Sequence, residues 1–245
     1  MNILITGASR GIGKAIAFEA TKARHSVALV SRNIEVLQQV EDEITSLGGI
    51  AKSFQCDVTS SKQVAELRTR VLEHFPGIDV VVNNAGVAPS AKLEDTTDDL
   101  WSDTFSTNVC STFYITRTFL PELRASSNAH IINIASTAAL EGFAYTAAYT
   151  ASKHAVLGLS RALAKELFKA KITVSTICPG FVRTSILDES VKNITAKTGM
   201  TNSDAERQLG TMNKTGKIIE PIEVAEAVIL ALTMTPDPNG YELIL

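Results

Sequence analysis

Short apolar runs alternate with longer amphipathic runs along the whole chain. Seven of the short runs are continuously apolar or rich in β-branched residues, which is typical of strands buried on both faces of a parallel sheet. Alternation of strands and helices predicts an α/β fold, in which right-handed crossovers place helices on both faces of a mainly parallel, seven-stranded sheet. The predicted strands span 3–6, 27–31, 51–56, 78–83, 130–135, 172–178 and 241–245, and the predicted helices span 11–24, 33–47, 60–75, 97–126, 147–170 and 221–234.

The length of 245 residues suits a single domain, 1–245, and the chain shows no repeat, low-complexity segment or linker. The polar segment 184–217 fits neither the sheet nor its helices. Connections of this length in compact domains are usually functional, so we predict a substrate-binding loop or lid here. The capping-box spacing of Ser203-Asp204-Ala205-Glu206 predicts a short helix within it.

Composition narrows the function classes. A net charge of -3 offers no basic footprint, so we expect no nucleic-acid partner. No apolar run reaches the ~18 residues of a membrane span, and the first predicted strand leaves no room for a signal peptide. Cys56, Cys110 and Cys178 lie far apart and form neither a CxxC pair nor a metal-ligand pattern. We therefore expect free buried thiols, no metal site, no membrane association and a cytoplasmic location.

A glycine-rich stretch, TGASRGIG at 6–13, joins the first predicted strand to the first predicted helix. Gly7 permits a tight turn, while Gly11 and Gly13 let the backbone and helix approach a pyrophosphate. The helix N-terminus then offers free N–H groups to the phosphates. The spacing differs from GxGxxG, but a plain strand–helix turn needs only one glycine, so a dinucleotide site is favoured. Its predicted contacts are Gly7, Ser9, Arg10, Gly11, Ile12 and Gly13.

The end of the second predicted strand indicates which dinucleotide binds. NAD sites usually carry Asp or Glu about 20 residues past the glycines, on the ribose 2′-hydroxyl. Ser31-Arg32-Asn33 stands there instead. An arginine pairs with a 2′-phosphate, and Arg10 can flank the same group. Arg32 could alternatively be a solvated loop charge, but two arginines and a missing acid favour NADP(H).

Two further segments follow predicted strands at their carboxyl ends, where open α/β sheets bind ligands. Asp57 and Val58 follow the third strand, although Asp57 alternatively caps a turn. Asn84, Ala85 and Gly86 follow the fourth strand, and their small side chains suit close approach to a ligand. We predict that both segments contact the cofactor.

Ser136, Tyr149 and Lys153 concentrate the chemistry. Tyr149 and Lys153 lie four apart in a predicted helix and so share a face. A nearby ammonium lowers the pKa of a phenol from about 10, which gives a general acid for reduction and a base for oxidation. The Ser136 hydroxyl can hydrogen-bond the substrate oxygen. By itself YxxxK is equally an ordinary helix-surface pair, and Tyr145 lacks a lysine four residues on.

Taken together, the motifs resemble a classical short-chain dehydrogenase/reductase from residue 2 to about 184. They occur in order as TGASRGIG at 6–13, DV at 57–58, NNAG at 83–86, Asn108, Ser136, YTASK at 149–153, and Pro179-Gly180 through Thr184. The resemblance implies a Rossmann-type, doubly wound α/β fold and NADP(H)-dependent hydride transfer between a carbonyl and an alcohol.

The resemblance also implies roles for individual residues. Tyr149 would donate the proton, Ser136 would orient the carbonyl, and Lys153 would bind the nicotinamide ribose and lower the Tyr149 pKa. Asn108 would hold a water in the proton relay, and Asn84 would border the ribose. The remaining expected cofactor contacts are Pro179 and Gly180, with Val182 and Thr184 at the carboxamide.

The C-terminal sequence PNGYELIL, 238–245, departs from the glycine-rich ending of many family members and is closer to sepiapterin-reductase-like and broad carbonyl-reducing members. A small-molecule ketone or aldehyde substrate is therefore favoured. A 3-oxoacyl-[acyl-carrier-protein] reductase ranks second, because few basic residues are available to meet an acidic carrier. The expected pocket walls are Pro89, Glu141, Phe143, Tyr145, Ile186 and Leu187.

Other classes fit less well. A non-catalytic NADP-sensing protein has no need of an intact Ser136, Tyr149 and Lys153, and a sugar-nucleotide epimerase needs a longer chain. On the helix 147–170, apolar and small residues together with Tyr149 and Lys153 cover about 220°, twice what docking on a sheet requires. Full burial within one subunit is one explanation. We favour a homo-oligomer, which by resemblance is a tetramer or otherwise a dimer.

Overall fold

The computed structural model describes residues 1–245. Its seven strands form one parallel sheet in the order β3-β2-β1-β4-β5-β6-β7. The strands are β1 (Asn2–Thr6), β2 (Ser26–Ser31), β3 (Ile50–Gln55), β4 (Val80–Asn83), β5 (Ala129–Ile134), β6 (Ile172–Cys178) and β7 (Tyr241–Ile244). The helices are α1 (Gly11–Lys22), α2 (Ile34–Ser46), α3 (Ser61–Leu72), α4 (Asp98–Phe105), α5 (Ser111–Ala125), α6 (Ala147–Leu167), α7 (Ser185–Thr198), α8 (Asn202–Thr211) and α9 (Pro221–Ala231). The predicted Rossmann-type α/β fold and all seven predicted strands are confirmed.

Two apolar clusters, one on each face of the sheet, explain the continuously apolar strands. Ile3 and Ile5 of β1 belong to one cluster, and Leu4 belongs to the other. Successive side chains of a strand point to opposite faces, so a strand covered on both sides must be apolar at every position. Helices α1 and α9 supply residues to the first cluster, whereas α3 and α5 supply the second.

The strand order places the site. Strand β1 lies between β2 and β4, so the chain winds one way from β1 through β3 and the other way from β4 through β7. The connections leaving β1 and β4 therefore diverge at their carboxyl ends and open a crevice, the usual ligand site of this architecture. The glycine-rich turn and the segment 83–86 both border that crevice.

The structure differs from the predicted helices in two places. The single helix predicted over 97–126 is α4 and α5 joined by a π-helical turn, Ser106–Cys110. Segment 184–217 contains two helices rather than one. Thr201, not Ser203, caps α8, since its Oγ1 accepts a hydrogen bond from the Asp204 N–H at 3.1 Å.

No helix has both the length and the apolar character needed to cross a membrane. All three cysteines are free thiols. Cys56 and Cys178 are buried as expected, whereas Cys110 is partly exposed. Burial raises the pKa of the Cys56 and Cys178 thiols to about 11, so both remain protonated at neutral pH.

Candidate active site

The glycine-rich turn between β1 and α1 is packed too closely for side chains. Gly7 and Gly11 have φ values of 66° and 54°, which favour glycine. A Cβ at Gly13 would lie 2.2 Å from the Gly7 carbonyl oxygen. A Cβ at Gly11 would lie 3.1 Å from the Thr184 methyl group, so the turn and Thr184 are neighbours. The three glycines thus bring the N-terminus of α1 against the turn, and their approach to a pyrophosphate stays a prediction.

Asn84 holds the same turn from the neighbouring strand. Its Nδ2 donates to the carbonyl oxygens of Thr6 at 2.9 Å and Gly7 at 3.2 Å, and its backbone N–H donates to Thr6 Oγ1 at 3.0 Å. The expected position of Asn84 beside the cofactor ribose stays a prediction. Its amide binds the turn, and Ala85 follows with its own N–H on Thr6 Oγ1.

Ser31 and Arg32 lie beside the turn because Thr6 pairs with Val30 across β1 and β2. Ser31 Oγ donates to the Asn33 carbonyl at 3.1 Å, and Asn33 caps α2. The Arg32 side chain is exposed. Arg10 is likewise exposed at the start of α1, and Ser9 and Ile12 are half-buried. Neither arginine forms a salt bridge within the chain.

Asp57 caps the turn that leads from β3 into α3. Its Oδ1 accepts from the Thr59 N–H at 3.0 Å and from Thr59 Oγ1 at 2.8 Å. Val58 packs into the second apolar cluster. The turn-capping alternative is therefore present in the structure, and cofactor contact by this segment stays a prediction.

Ser136, Tyr149 and Lys153 converge where β5 ends and α6 begins. Ser136 follows β5, is buried, and accepts the Ala138 N–H on its Oγ at 3.1 Å. Lys153 is also buried, and its Nζ donates to the Ile134 carbonyl at 2.9 Å and lies 5.7 Å from the centre of the Tyr149 ring. A Cβ added at Gly86 would be 3.6 Å from that Nζ, so Gly86 borders the same group.

Burial governs the electrostatics of this group. It raises the pKa of the Tyr149 phenol, and a hydrogen bond with Ser136 opposes the shift. Burial also lowers the pKa of the Lys153 ammonium to about 8. The net shift of the Tyr149 pKa is therefore upward, because desolvation is its largest cause, and the expected lowering by Lys153 stays a prediction.

Asn108 lies in the π-helical turn and joins the loop that follows β4 to α6. Its Oδ1 accepts from the Val87 N–H, and its Nδ2 donates to the Val87 carbonyl and to Ser152 Oγ, each at 2.9 Å. π-Helical turns are rare in proteins, and those that occur are often located at functional sites. The Asn108 amide thereby fixes the segment after β4 against α6, and its expected water-holding role stays a prediction.

The segment after β6 completes the crevice wall. Pro179 is buried, and its carbonyl accepts from the Thr137 N–H at 2.9 Å. Val182 forms a β-bridge with Ile219, and Thr184 is the N-cap residue of α7. A cleft of about 580 Å³ lies beside this segment, between α1 and the starts of α7 and α9, with Arg10, Gly11, Phe18, Thr184, Asp188 and Pro221 among its lining residues. Ser136, Tyr149 and Lys153 do not line it.

The predicted substrate pocket is only partly assembled. Phe143 packs edge-on against Phe181, with ring centres 6.3 Å apart, and Tyr145 is exposed beneath Lys197 of α7. Leu187 is misplaced in the prediction, because its side chain is buried between α7 and α8. Of the rest, Pro89 is half-buried, while Glu141 and Ile186 are exposed.

Sequence reasoning missed several residues that shape this region. Asn213 and Arg183 hold the segment after β6, and Asn193 of α7 donates to Ser90 Oγ at 3.4 Å. None lies in a recognisable motif. Only the polar character of 184–217 drew attention to this part of the chain, and its role at the site stays a prediction.

The crevice fits a dinucleotide. The turn offers backbone N–H groups at the N-terminus of α1 in a place where a Cβ would clash, and exposed arginines stand beside it without ion-pair partners. The Ser136 and Tyr149 group lies across the crevice, where a carbonyl and its reductant could meet.

Comparison with known proteins agrees with this geometry. The sequence profile of the short chain dehydrogenase family matches residues 1–195. The chain is 34% identical over 227 residues to a protein named putative ketoacyl reductase from Streptomyces coelicolor, covering 92% of this chain and 87% of that protein. It is 36% identical over 193 residues to a 3beta-hydroxysteroid dehydrogenase from Mediterraneibacter gnavus, covering 78% and 70%.

Among solved structures, a variant of actinorhodin polyketide ketoreductase with NADPH superposes with a TM-score of 0.92 at 31% identity, covering 100% of this chain and 95% of that one. The family profile spans most of the chain, the relatives are more than 30% identical to it, and the solved ketoreductase has the same fold. The chain belongs to the short-chain dehydrogenase family and is an oxidoreductase.

Proposed function

We propose that this protein uses NADPH to reduce the carbonyl of a small ketone or aldehyde to an alcohol, with Tyr149 as the proton donor. The observation that carries the proposal is the group of buried Ser136, buried Lys153 and half-buried Tyr149 at the end of β5, beside a crevice that fits a dinucleotide. The similar polyketide ketoreductase was solved with NADPH, which supports the same cofactor here.

The residues that would hold the cofactor follow the crevice. The 6–13 turn would bind the diphosphate, Arg10 and Arg32 the 2′-phosphate, Lys153 the nicotinamide ribose, and Val182 with Thr184 the carboxamide. When bound, NADPH would supply a hydride to the carbonyl carbon. The protein would supply the proton and hold the reactants in position.

Tyr149 would donate its phenolic proton to the carbonyl oxygen as negative charge develops there. The phenol is protonated at neutral pH, because its pKa lies above neutrality and burial raises it further, so a proton is available for donation. Ser136 would hold the same oxygen by a hydrogen bond. The Lys153 ammonium, 5.7 Å from the ring centre, would stabilise the phenolate left behind.

Helices α7 and α8 are proposed as the cover of the substrate site. Asn193 contacts Ser90 on one neighbouring loop, and the Lys197 Nζ lies 5.8 Å from the Tyr145 ring centre on another. Helix α7 thus reaches the loop that follows β4 and the loop that precedes α6. The whole chain, 1–245, would act as one domain.

A second candidate function is reduction of a 3-oxoacyl thioester, which the similarity to the Streptomyces coelicolor protein favours. One panel separates the two candidates. NADPH oxidation is measured with ketones, aldehydes, diketones, a free 3-oxoacyl thioester and the same acyl group on a carrier protein. Preference for small carbonyls supports the first, preference for the carrier-bound thioester supports the second, and NADPH binding with no turnover of any would instead favour an NADP-sensing protein.

A further inference from the structure

The segment 180–184 is held in place by the loop that follows α8. The Ile219 N–H donates to the Phe181 carbonyl at 3.0 Å, and the Arg183 N–H donates to the Ile219 carbonyl at 2.9 Å. Val182 and Ile219 are also buried in the first apolar cluster, and Arg183 pairs with Glu206 and Glu220, but these contacts lie after Gly180 and Phe181, the two residues at the start of the segment. Additional contacts hold that start.

Asn213 supplies them. Its side chain is only 6% exposed. Its Oδ1 accepts from the Phe181 N–H at 2.7 Å, and its Nδ2 donates to the Phe181 carbonyl at 3.0 Å and to the Lys217 carbonyl at 2.7 Å. A single buried amide therefore hydrogen-bonds to both strands of the bridge, at Phe181 on one side and at Lys217 on the other.

Gly180 makes this grip possible. A Cβ at this position would lie 2.0 Å from Asn213 Oδ1 and 2.9 Å from its Cγ. The φ angle of Gly180 is not positive, so the backbone does not itself call for glycine. From the sequence, Gly180 is expected to contact the cofactor. The structure gives another reason for a glycine at this position, because the Asn213 amide fills the space that a side chain would occupy.

We propose that Asn213 is a positioning residue that holds 180–184 in the shape that receives the nicotinamide end of the cofactor. The proposal rests on the proposed function. Without the amide, the segment would occupy several conformations, and the apparent affinity would fall with the fraction that remains competent. The adenine end binds at the other side of the crevice and would not depend on Asn213.

This difference between the two ends provides the test. Binding of NADPH and of adenosine 2′,5′-bisphosphate, which reports the adenine end alone, is measured by calorimetry for the wild type and Asn213→Ala. We expect the NADPH Kd to rise about tenfold, as for a competent fraction of about one tenth, and the bisphosphate Kd to stay unchanged. Thr215→Ala is the matched control, since its exposed hydroxyl makes only a 3.5 Å contact in the same loop.

Gly180→Ala gives an independent check, because its methyl group would evict the Asn213 amide. It should weaken NADPH binding as Asn213→Ala does, and the double variant should be no worse than either single one. Additive losses would show that Gly180 serves the cofactor by itself and would overturn the proposal.

An unchanged NADPH Kd in Asn213→Ala, or equal loss of both ligands, would also overturn it. If Asn213→Ala does not fold, Asn213→Asp keeps the acceptor and the size while losing both donors. Failure of both variants to fold would show that Asn213 supports the fold as a whole, against a positioning role. A wild type that binds the bisphosphate but not NADPH would refute the proposed function itself.

Discussion

Arg32 stands where an NAD-selective protein would carry an acid, and its exposed guanidinium has no partner in the chain. A charge-assisted bond to phosphate contributes about 1.5–3 kcal/mol. Arg32→Asp should therefore weaken NADPH binding at least about tenfold, at ~1.4 kcal/mol per decade, and weaken NADH binding less. Fluorescence titration with both nucleotides checks this.

The control is Lys169→Asp, which makes the same charge change at the opposite edge of the sheet, before β6. It should leave both affinities unchanged. Wild-type protein that bound NADH as tightly as NADPH would contradict the assignment of Arg10 and Arg32.

The buried Lys153 ammonium costs stability. Its pKa falls from 10.5 to about 8 on folding, so the unfolded chain binds more protons between these values and stability rises with pH across that window. Below it the penalty is about 3 kcal/mol, at ~1.4 kcal/mol per pKa unit. Lys153→Met should gain stability at pH 7, reduced by the lost bond to the Ile134 carbonyl, while losing activity.

Urea unfolding at pH 7 and pH 10 isolates the effect of the Lys153 charge on stability. The loss of the hydrogen bond to the Ile134 carbonyl affects the variant at both pH values and cancels in the comparison. The advantage of Lys153→Met over the wild type should shrink by about 2–3 kcal/mol between them. Tyr149 and Cys178 titrate in both proteins and largely cancel in the difference. Lys165→Met, on the exposed side of α6, should show no such change. A pH-independent advantage would mean that Lys153 is not desolvated.

At the scale of elements, the space around two helical glycines predicts opposite effects on stability when each is replaced by alanine. Gly13 lies in the contact between α1 and the turn, whereas Gly158 has open space around it. Gly13→Ala would drive a methyl group into the Gly7 carbonyl and should cost about 1–3 kcal/mol. Gly158→Ala, in the middle of α6 with nothing within 4 Å, should gain roughly 0.5–1 kcal/mol. Urea unfolding of both variants provides the measurement, and a Gly13→Ala protein as stable as the wild type would contradict the packing described.

The seven strands could be predicted because each is buried on both faces and leaves a continuous apolar run. Helix α7 could not, because only Leu187 and Val191 are buried on it and their burial depends on Ala205 and Leu209 of α8. The π-helical turn leaves no mark in the periodicity. Its extra residue is accommodated by Asn108 contacts that reach back to Val87.

The site was predictable where its requirements are local. Positive φ at Gly7 and Gly11, and the four-residue spacing of Tyr149 and Lys153, are properties of short stretches. The partners of Asn84 lie nearly eighty residues away, and Phe181, which Asn213 contacts, lies thirty-two residues away, and no motif encodes such contacts. The raised Tyr149 pKa could not be predicted from the sequence either, because it depends on burial by elements that are distant along the chain.

At the scale of the whole molecule, the outward face of α6 is unusually smooth. Ala155 is half-buried, Gly158 and Ala162 are exposed, and Trp101 on the adjacent α4 is 42% exposed. Such a face permits close contact with another subunit. We predict a tetramer, or otherwise a dimer, by multi-angle light scattering at micromolar concentration, with Ala162→Glu shifting the population toward monomer. A purely monomeric wild type would count against this surface.

The most direct test of the account is the rate of NADPH oxidation by Tyr149→Phe in a single turnover. The change keeps the ring and its packing and removes the one transferable proton. General acid catalysis contributes about 10²–10⁴-fold, so turnover should fall by about that factor while NADPH binding survives. Tyr145→Phe, which removes a neighbouring exposed hydroxyl, should keep most of its activity. If Tyr149→Phe kept most of its rate on a substrate whose chemical step is rate-limiting, Tyr149 would not be the acid and the proposed mechanism would be wrong.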